Sequence, residues 1–150
     1  MSATFVFYRE GVDPYQYYHT VTDQVLGMFN YPYVLVDRSE RAFPNSPNIY
    51  KQLSDALAAH PGHEWVFFDR NAYVFLDEFR HPRGRTVYAI GSDNVDYDGE
   101  TGMEVAKRLG CSVLKIRAVQ ERPYLANAVV AVVAYDRWLK LREWDDSTDH

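Results

Sequence analysis

The residues best placed to do chemistry lie in Thr86–Gly99, T-V-Y-A-I-G-S-D-N-V-D-Y-D-G. Val87 to Gly91 has β-type character and runs straight into a polar loop. A buried strand that ends in a glycine, here Gly91 followed by Ser92 and Asp93, builds a ligand crevice at its carboxyl end. The missing Cβ lets a ligand approach the backbone closely. A strand closed by a plain surface turn carries the same signature. Ser92 has no G-x-S-x-G surroundings, so a hydrolase elbow is set aside. The loop also lacks G-x-G-x-x-G and a Walker lysine, which sets aside dinucleotides and nucleoside triphosphates.

Two other constellations carry less. Asn94-x-Asp96-x-Asp98-Gly99 matches the first half of a calcium loop, but position twelve is Val105, Glu104 misses it by one, and a strand precedes the loop. A solvated loop or a lid over the crevice explains the acids better. His60, His63 and His81 are too dispersed for a metal site, so no metal is expected. Asp77 and Glu78 with Arg80 read as surface charges.

The chain has 150 residues, a net charge of −5 and 47% hydrophobic content, ordinary for one soluble domain spanning 1–150. Asp145, Asp146 and Asp149 fall in a short polar tail that should fray. Positive charge gathers at Arg80, His81, Arg83 and Arg85, and again at Lys107, Arg108, Lys115, Arg117 and Arg122. Such a patch on an acidic protein can hold phosphates, and it can equally be a solvated surface. The single cysteine, Cys111, excludes an internal disulfide and a cysteine-based zinc cluster, and suits a reducing compartment. No apolar run reaches the roughly 20 residues that span a bilayer, and a cytoplasmic location with no membrane partner is expected.

Strands are expected at Thr4–Tyr8, Tyr33–Val36, Trp65–Phe68, Thr86–Ile90 and Ser112–Ile116. A helix should start at Asp13-Pro14 and carry Tyr17, Val21, Val25 and Met28 at helical spacing. Asn48–His60 reads as an amphipathic helix after a proline-containing loop, Ser39–Pro47. Tyr73–Phe79 reads as helical or irregular, and Thr101–Leu109 as a short helix stopped by Gly110. Pro123–Arg142 is the longest helix, with Arg137, Lys140 and Arg142 near its end, where they suit the dipole. Short apolar strands alternating with helices indicate a mainly parallel sheet covered by helices on both faces.

The order His81-Pro82, Thr86–Gly91-Ser92-Asp93, a strand to Ile116 and a long helix through Ala134-Tyr135-Asp136-Arg137 resembles the SpoU/TrmH-like branch of the SPOUT RNA methyltransferases. The resemblance covers roughly Trp65–Trp138. It implies a SPOUT-like α/β domain with a C-terminal trefoil knot, a homodimer, S-adenosylmethionine as cofactor and tRNA or rRNA as substrate, methylated on a ribose 2′-oxygen. It implies cofactor contacts at Leu76, Gly91, Ser92, Asp93, Ile116, Arg117, Tyr124 and Leu125, and RNA contacts at Arg80, Arg83, Arg85 and Arg122. Departures are visible: Asp93 stands for the family's glutamate, Arg117 for its proline, and Pro123–Asn127 for its Ser-Leu-Asn turn. The stretch Asp13…His19 has no arginine where the family keeps a catalytic one, leaving His19 and Asn127 as catalytic candidates. A non-catalytic SPOUT-like dimer that binds RNA or a protein is the competing reading. For the dimer, Trp138 and Trp144 extend the apolar last helix, although they could cover the protein's own core edge.

Overall fold

The computed structural model describes residues 3–8, 17–36, 49–91, 97–119 and 126–148. Its strands are β1 (Ala3–Tyr8), β2 (Tyr33–Val36), β3 (Ile49–Tyr50), β4 (Glu64–Phe68), β5 (Val74–Phe75), β6 (Thr86–Ile90) and β7 (Ser112–Lys115). Its helices are α1 (Tyr17–Met28), α2 (Leu53–Ala59), α3 (Gly102–Leu109) and α4 (Ala126–Thr148). The strands form one sheet in the order β3-β2-β1-β6-β4-β7-β5, and every neighbouring pair is parallel.

Alternation along each strand explains the layers. On β6, Tyr88 and Ile90 join Phe5, Leu26, Val66, Leu114 and the α4 residues Val129, Val130 and Val133 in one core. Val87 and Ala89 point to the other face and pack with Val6, Leu53, Ala56, Phe67, Val105 and Ala106. Successive side chains of a strand point to opposite faces, so a strand buried on both must be apolar throughout. All five residues of β6 are buried. Helices α1 and α4 therefore cover one face, and α2 and α3 the other.

The expected mainly parallel α/β sheet is observed, with differences in detail. The expected helix Asn48–His60 begins only at Leu53, because Ile49 and Tyr50 pair with Leu35 and Val36 of β2. Tyr73–Phe79 divides into edge strand β5 and a 3-10 turn, Leu76–Glu78. The last helix continues through Asp145 to Thr148, so the acidic tail is largely helical and Arg137 sits inside the helix, not near its end. The helix start at Asp13-Pro14, the loop Ser39–Pro47 and Pro123–Leu125 lie outside the described residues. So do 92–96 and 120–125.

Helix α3 matches its sequence signals. The Thr101 hydroxyl accepts from the Glu104 N–H at 3.1 Å, and Gly110 adopts φ 70° at the C-terminus, where a left-handed residue closes the last turn. Its first residue is set by packing. A Cβ on Gly102 would stand 2.5 Å from the Phe68 carbonyl oxygen and 3.0 Å from Asp69 Cβ. The start of α3 can touch the end of β4 only without that atom. Gly102→Ala should therefore lower unfolding free energy by about 1–3 kcal/mol despite alanine's better helix propensity, as read by urea denaturation. An unchanged midpoint would show that α3 can shift away.

Candidate functional site

In an all-parallel sheet every strand ends on the same edge. Gly91 directly follows β6, Asp69 follows β4, Ile116 follows β7 and Leu76 follows β5. Those four strands are consecutive in the order β6-β4-β7-β5, so three of the expected cofactor positions, Gly91, Ile116 and Leu76, fall in one row. Three inter-strand spacings separate its ends, about 14 Å. The chain leaves β1 toward β2 on one side and β6 toward β7 on the other. The β1–β6 boundary is thus a topological switch point, where open parallel sheets form ligand crevices.

The groups along this row are held by the protein itself. Asp69 accepts from the Asn71 N–H at 2.9 Å and, through its other oxygen, from the Met103 N–H at 3.0 Å, so its charge caps α3. The Gly91 N–H donates to the Tyr97 hydroxyl at 3.0 Å. The Leu76 side chain belongs to the core beside α4, and Ile116 packs against that core. Arg117 lies 3.8 Å from the Phe75 ring centroid and bonds to both Asp77 and Glu78. Its guanidinium is committed to the β5 side of the edge, and the two acids expected to face solvent with Arg80 are its partners. The row therefore presents backbone and apolar surface between fixed charges.

Ser92, Asp93, Arg122, Tyr124 and Leu125 lie outside the described residues. His19 is in the first turn of α1 and Asn127 in the first turn of α4, two helices that pack against each other. Asp98 serves the fold instead. Its carboxylate accepts from the N–H groups of Leu53 at 2.8 Å and Ser54 at 2.9 Å, capping α2 from a distant loop. Among the described residues no cluster of three or more His, Cys, Asp or Glu could hold a metal ion.

The basic residues divide. Arg80 and Arg83 line a cleft of about 340 Å³ with Phe79, His81, Lys140, Leu141, Asp77 and Glu78. Arg85 precedes β6 and lies at the opposite, amino edge of the sheet, where its carbonyl accepts from the Glu64 N–H. His81, counted by sequence among the surface cations, is buried, because its ring bridges Tyr88 and Asp136 at 2.6 Å each. Arg137 is fully buried and donates to the Tyr88 hydroxyl and the Pro82 carbonyl at 2.8 Å. Lys140 donates to the carbonyls of Leu76 and Phe79 and pairs with Asp136 at 2.8 Å.

With His81 neutral, the donors and acceptors fix one proton arrangement. Arg137 donates to the Tyr88 oxygen, Tyr88 donates to His81 Nδ1, and His81 Nε2–H donates to Asp136, which also accepts from Lys140. Burial pushes His81 below its ordinary value, with Lys140 and Arg137 adding to this, and outweighs the pull of Asp136. Burial works the other way on Asp136, but the bonds from His81 and Lys140 win and hold it below the usual carboxylate range.

No protein-family model matches the sequence, and no curated protein does. Solved structures share the fold at low identity. A structure addressing 2-OH methylation of C/U34 on tRNA superposes with TM-score 0.70 and 19% identity, over 95% of this chain and 97% of that one. The SpoU methyltransferase AviRb from Streptomyces viridochromogenes, in complex with AdoMet, gives 0.64 and 11% over 89% of this chain and 55% of that one. The AdoMet-bound rRNA methyltransferase from Sinorhizobium meliloti gives 0.63 and 10% over 90% and 55%. The fold expected from the sequence is thus that of solved RNA methyltransferases.

Two groups with depressed folded-state pKa values make stability acid-sensitive. Each contributes fully above its unfolded value and loses that contribution as pH falls: His81 first, below 6.5, then Asp136, below 3.8. The wild-type denaturation midpoint should fall between about pH 7 and about pH 5, and fall less steeply in His81→Gln. Parallel slopes would mean that His81 is not held neutral.

Proposed function

We propose that this chain binds S-adenosylmethionine at the carboxyl edge of β6, β4, β7 and β5 and transfers its methyl group to RNA, on a ribose 2′-oxygen. The observation that carries this reading is the row Gly91, Ile116 and Leu76 on consecutive strand ends beside the switch point. A slot of backbone and apolar surface suits adenine and a methionine chain, and the Arg117 guanidinium, paired with Asp77 and Glu78, is held to one side of it. The cofactor supplies an activated methyl group when bound. Likeness of fold to AdoMet-bound methyltransferases supports the same reading.

The chain's own residues would do the rest. Gly91 presents a backbone with no side chain, Ile116 brings the β7 end against the slot, and Leu76 closes its far side. Ser92, Asp93, Tyr124 and Leu125 complete the set of cofactor contacts. A ribose hydroxyl is a poor nucleophile that must be oriented and relieved of its proton, and His19 and Asn127, each in the first turn of its helix, are the candidates. Arg80 and Arg83 would hold RNA phosphates along the cleft they line, and Arg122 would add to that contact. Arg85 sits at the other edge and belongs to that surface only if the RNA wraps the sheet.

A homodimer goes with this reading. Val132 and Tyr135 on α4 and Met28 at the end of α1 are 45%, 53% and 76% exposed, beside a half-buried Trp138 that packs on Phe29. A second copy of the chain would cover this apolar face, and Tyr and Trp anchor such contacts well. Tyr135→Lys should halve the mass measured by light scattering; an unchanged dimer would move the interface elsewhere.

Calorimetric titration with S-adenosylmethionine tests the function. Roughly micromolar affinity, about −8 kcal/mol, is expected, and Gly91→Trp should abolish it. No heat at millimolar ligand would overturn the enzyme reading in favour of a fold kept for binding RNA or protein alone.

A further inference from the structure

We infer that Tyr97 is a positioning residue whose phenol oxygen sets the backbone at Gly91 for the ligand slot. The inference rests on the reading that Gly91 borders the cofactor. Tyr97 is 4% exposed, and its ring meets Phe67 edge-on at 5.4 Å. Its hydroxyl accepts from the Gly91 N–H at 3.0 Å. Its single proton is shared between the Ala89 carbonyl at 2.9 Å and the Phe68 carbonyl at 3.2 Å. One oxygen thus ties together the ends of β4 and β6 and the first residue beyond β6.

The clip is anchored away from the slot. Tyr97 and Glu100 exchange backbone hydrogen bonds of 2.6 and 2.9 Å, which close a tight turn. From that turn Asp98 caps α2, and Glu100 bonds to Arg108 on α3. The phenol is therefore fixed by two helices on one face of the sheet while it acts on the carboxyl edge. Burial raises its pKa well above the ordinary value, against the lowering effect of its backbone bonds to Gly91 and Phe68, so it stays a protonated donor across the neutral range.

The Gly91 N–H is thereby spent inside the protein. Gly91 meets a ligand without that donor, a constraint on the slot that its glycine alone does not impose. A phenylalanine at 97 would keep the ring packing and free the amide. The clip is also a different kind of group from the catalytic candidates, because its phenol is buried and acts through the Gly91 backbone.

The test compares wild type with Tyr97→Phe in two measurements. Amide exchange at Gly91, followed by NMR without ligand, should speed up about five- to tenfold, the loss of one buried hydrogen bond. The Kd for S-adenosylmethionine should rise by a similar factor of about five to ten. Tyr88→Phe removes an equally buried phenol on the opposite face of β6, and it should leave that Kd within about twofold however much it lowers thermal stability. Unchanged exchange at Gly91 overturns the inference whatever the ligand does. Equal affinity in wild type and Tyr97→Phe, or equal losses in both variants, overturns it as well. A wild type that binds no S-adenosylmethionine overturns the cofactor reading beneath it, and the two failures are told apart because the wild type itself fails.

Discussion

Burial of the Arg137 guanidinium is the constraint around which the α4 side of the molecule is arranged. A fully buried cation is tolerated only where fixed acceptors surround it, and breaking such an arrangement costs about 3–5 kcal/mol. Here the Pro82 carbonyl and the Tyr88 hydroxyl both accept from Nη1, and the Tyr88 ring centroid lies 5.6 Å away, while the buried Nε and Nη2 have no hydrogen-bond partner among the described residues. Those partners come from the β5–β6 connection and from β6 itself, so α4 can dock in only one register. Asp136, the neighbour of Arg137, and Lys140, one turn along, repeat the attachment through His81 and the carbonyls of Leu76 and Phe79.

That docking determines what the carboxyl edge can offer. Leu76 is held from below by Lys140 and from the side by the apolar stripe of α4. Asp69 is turned onto α3, and Arg117 onto Asp77 and Glu78. Asp69 and Arg117 are thereby held by partners of their own beside the row. On the proposed reading, a slot for a cationic sulfonium needs this kind of neutrality more than it needs any single ligand-binding side chain.

Much of the fold was legible because β4, β6 and the two longer helices state their environment in local periodicity. The Gly102–Phe68 contact left no trace in the sequence, since it joins positions far apart in the chain. Ile49 and Tyr50 were read as helix because a two-residue strand has no periodicity of its own and its pairing with β2 forms across an intervening loop. His81 looked like surface charge and Arg137 like a helix-end cation for a related reason: a buried ionic network has no one-dimensional pattern, only partners supplied by tertiary structure. Tyr97 carried a faint signal, a lone aromatic in the polar run D-N-V-D-Y-D-G, and Asp69 a fainter one, an acid directly after a buried strand. Gly91 stood out because a strand that stops at glycine is a local event.

The place of β6 has a consequence for how the chain assembles. β6 lies between β1 and β4, and Phe5 pairs with Tyr88 across most of the sequence that precedes it. Until Thr86–Ile90 has been synthesised, β1–β3 and β4 have no strand in common, and the two halves of the sheet stay separate. Joining them requires closing a long loop late, which slows folding and leaves parallel edges open in the meantime. β6 brings Gly91 to the carboxyl edge, and β7, made later still, fits between β4 and β5 and adds Ile116. The candidate row is thus complete only once the last strand is in place, and no nascent chain that ends before β7 can present it.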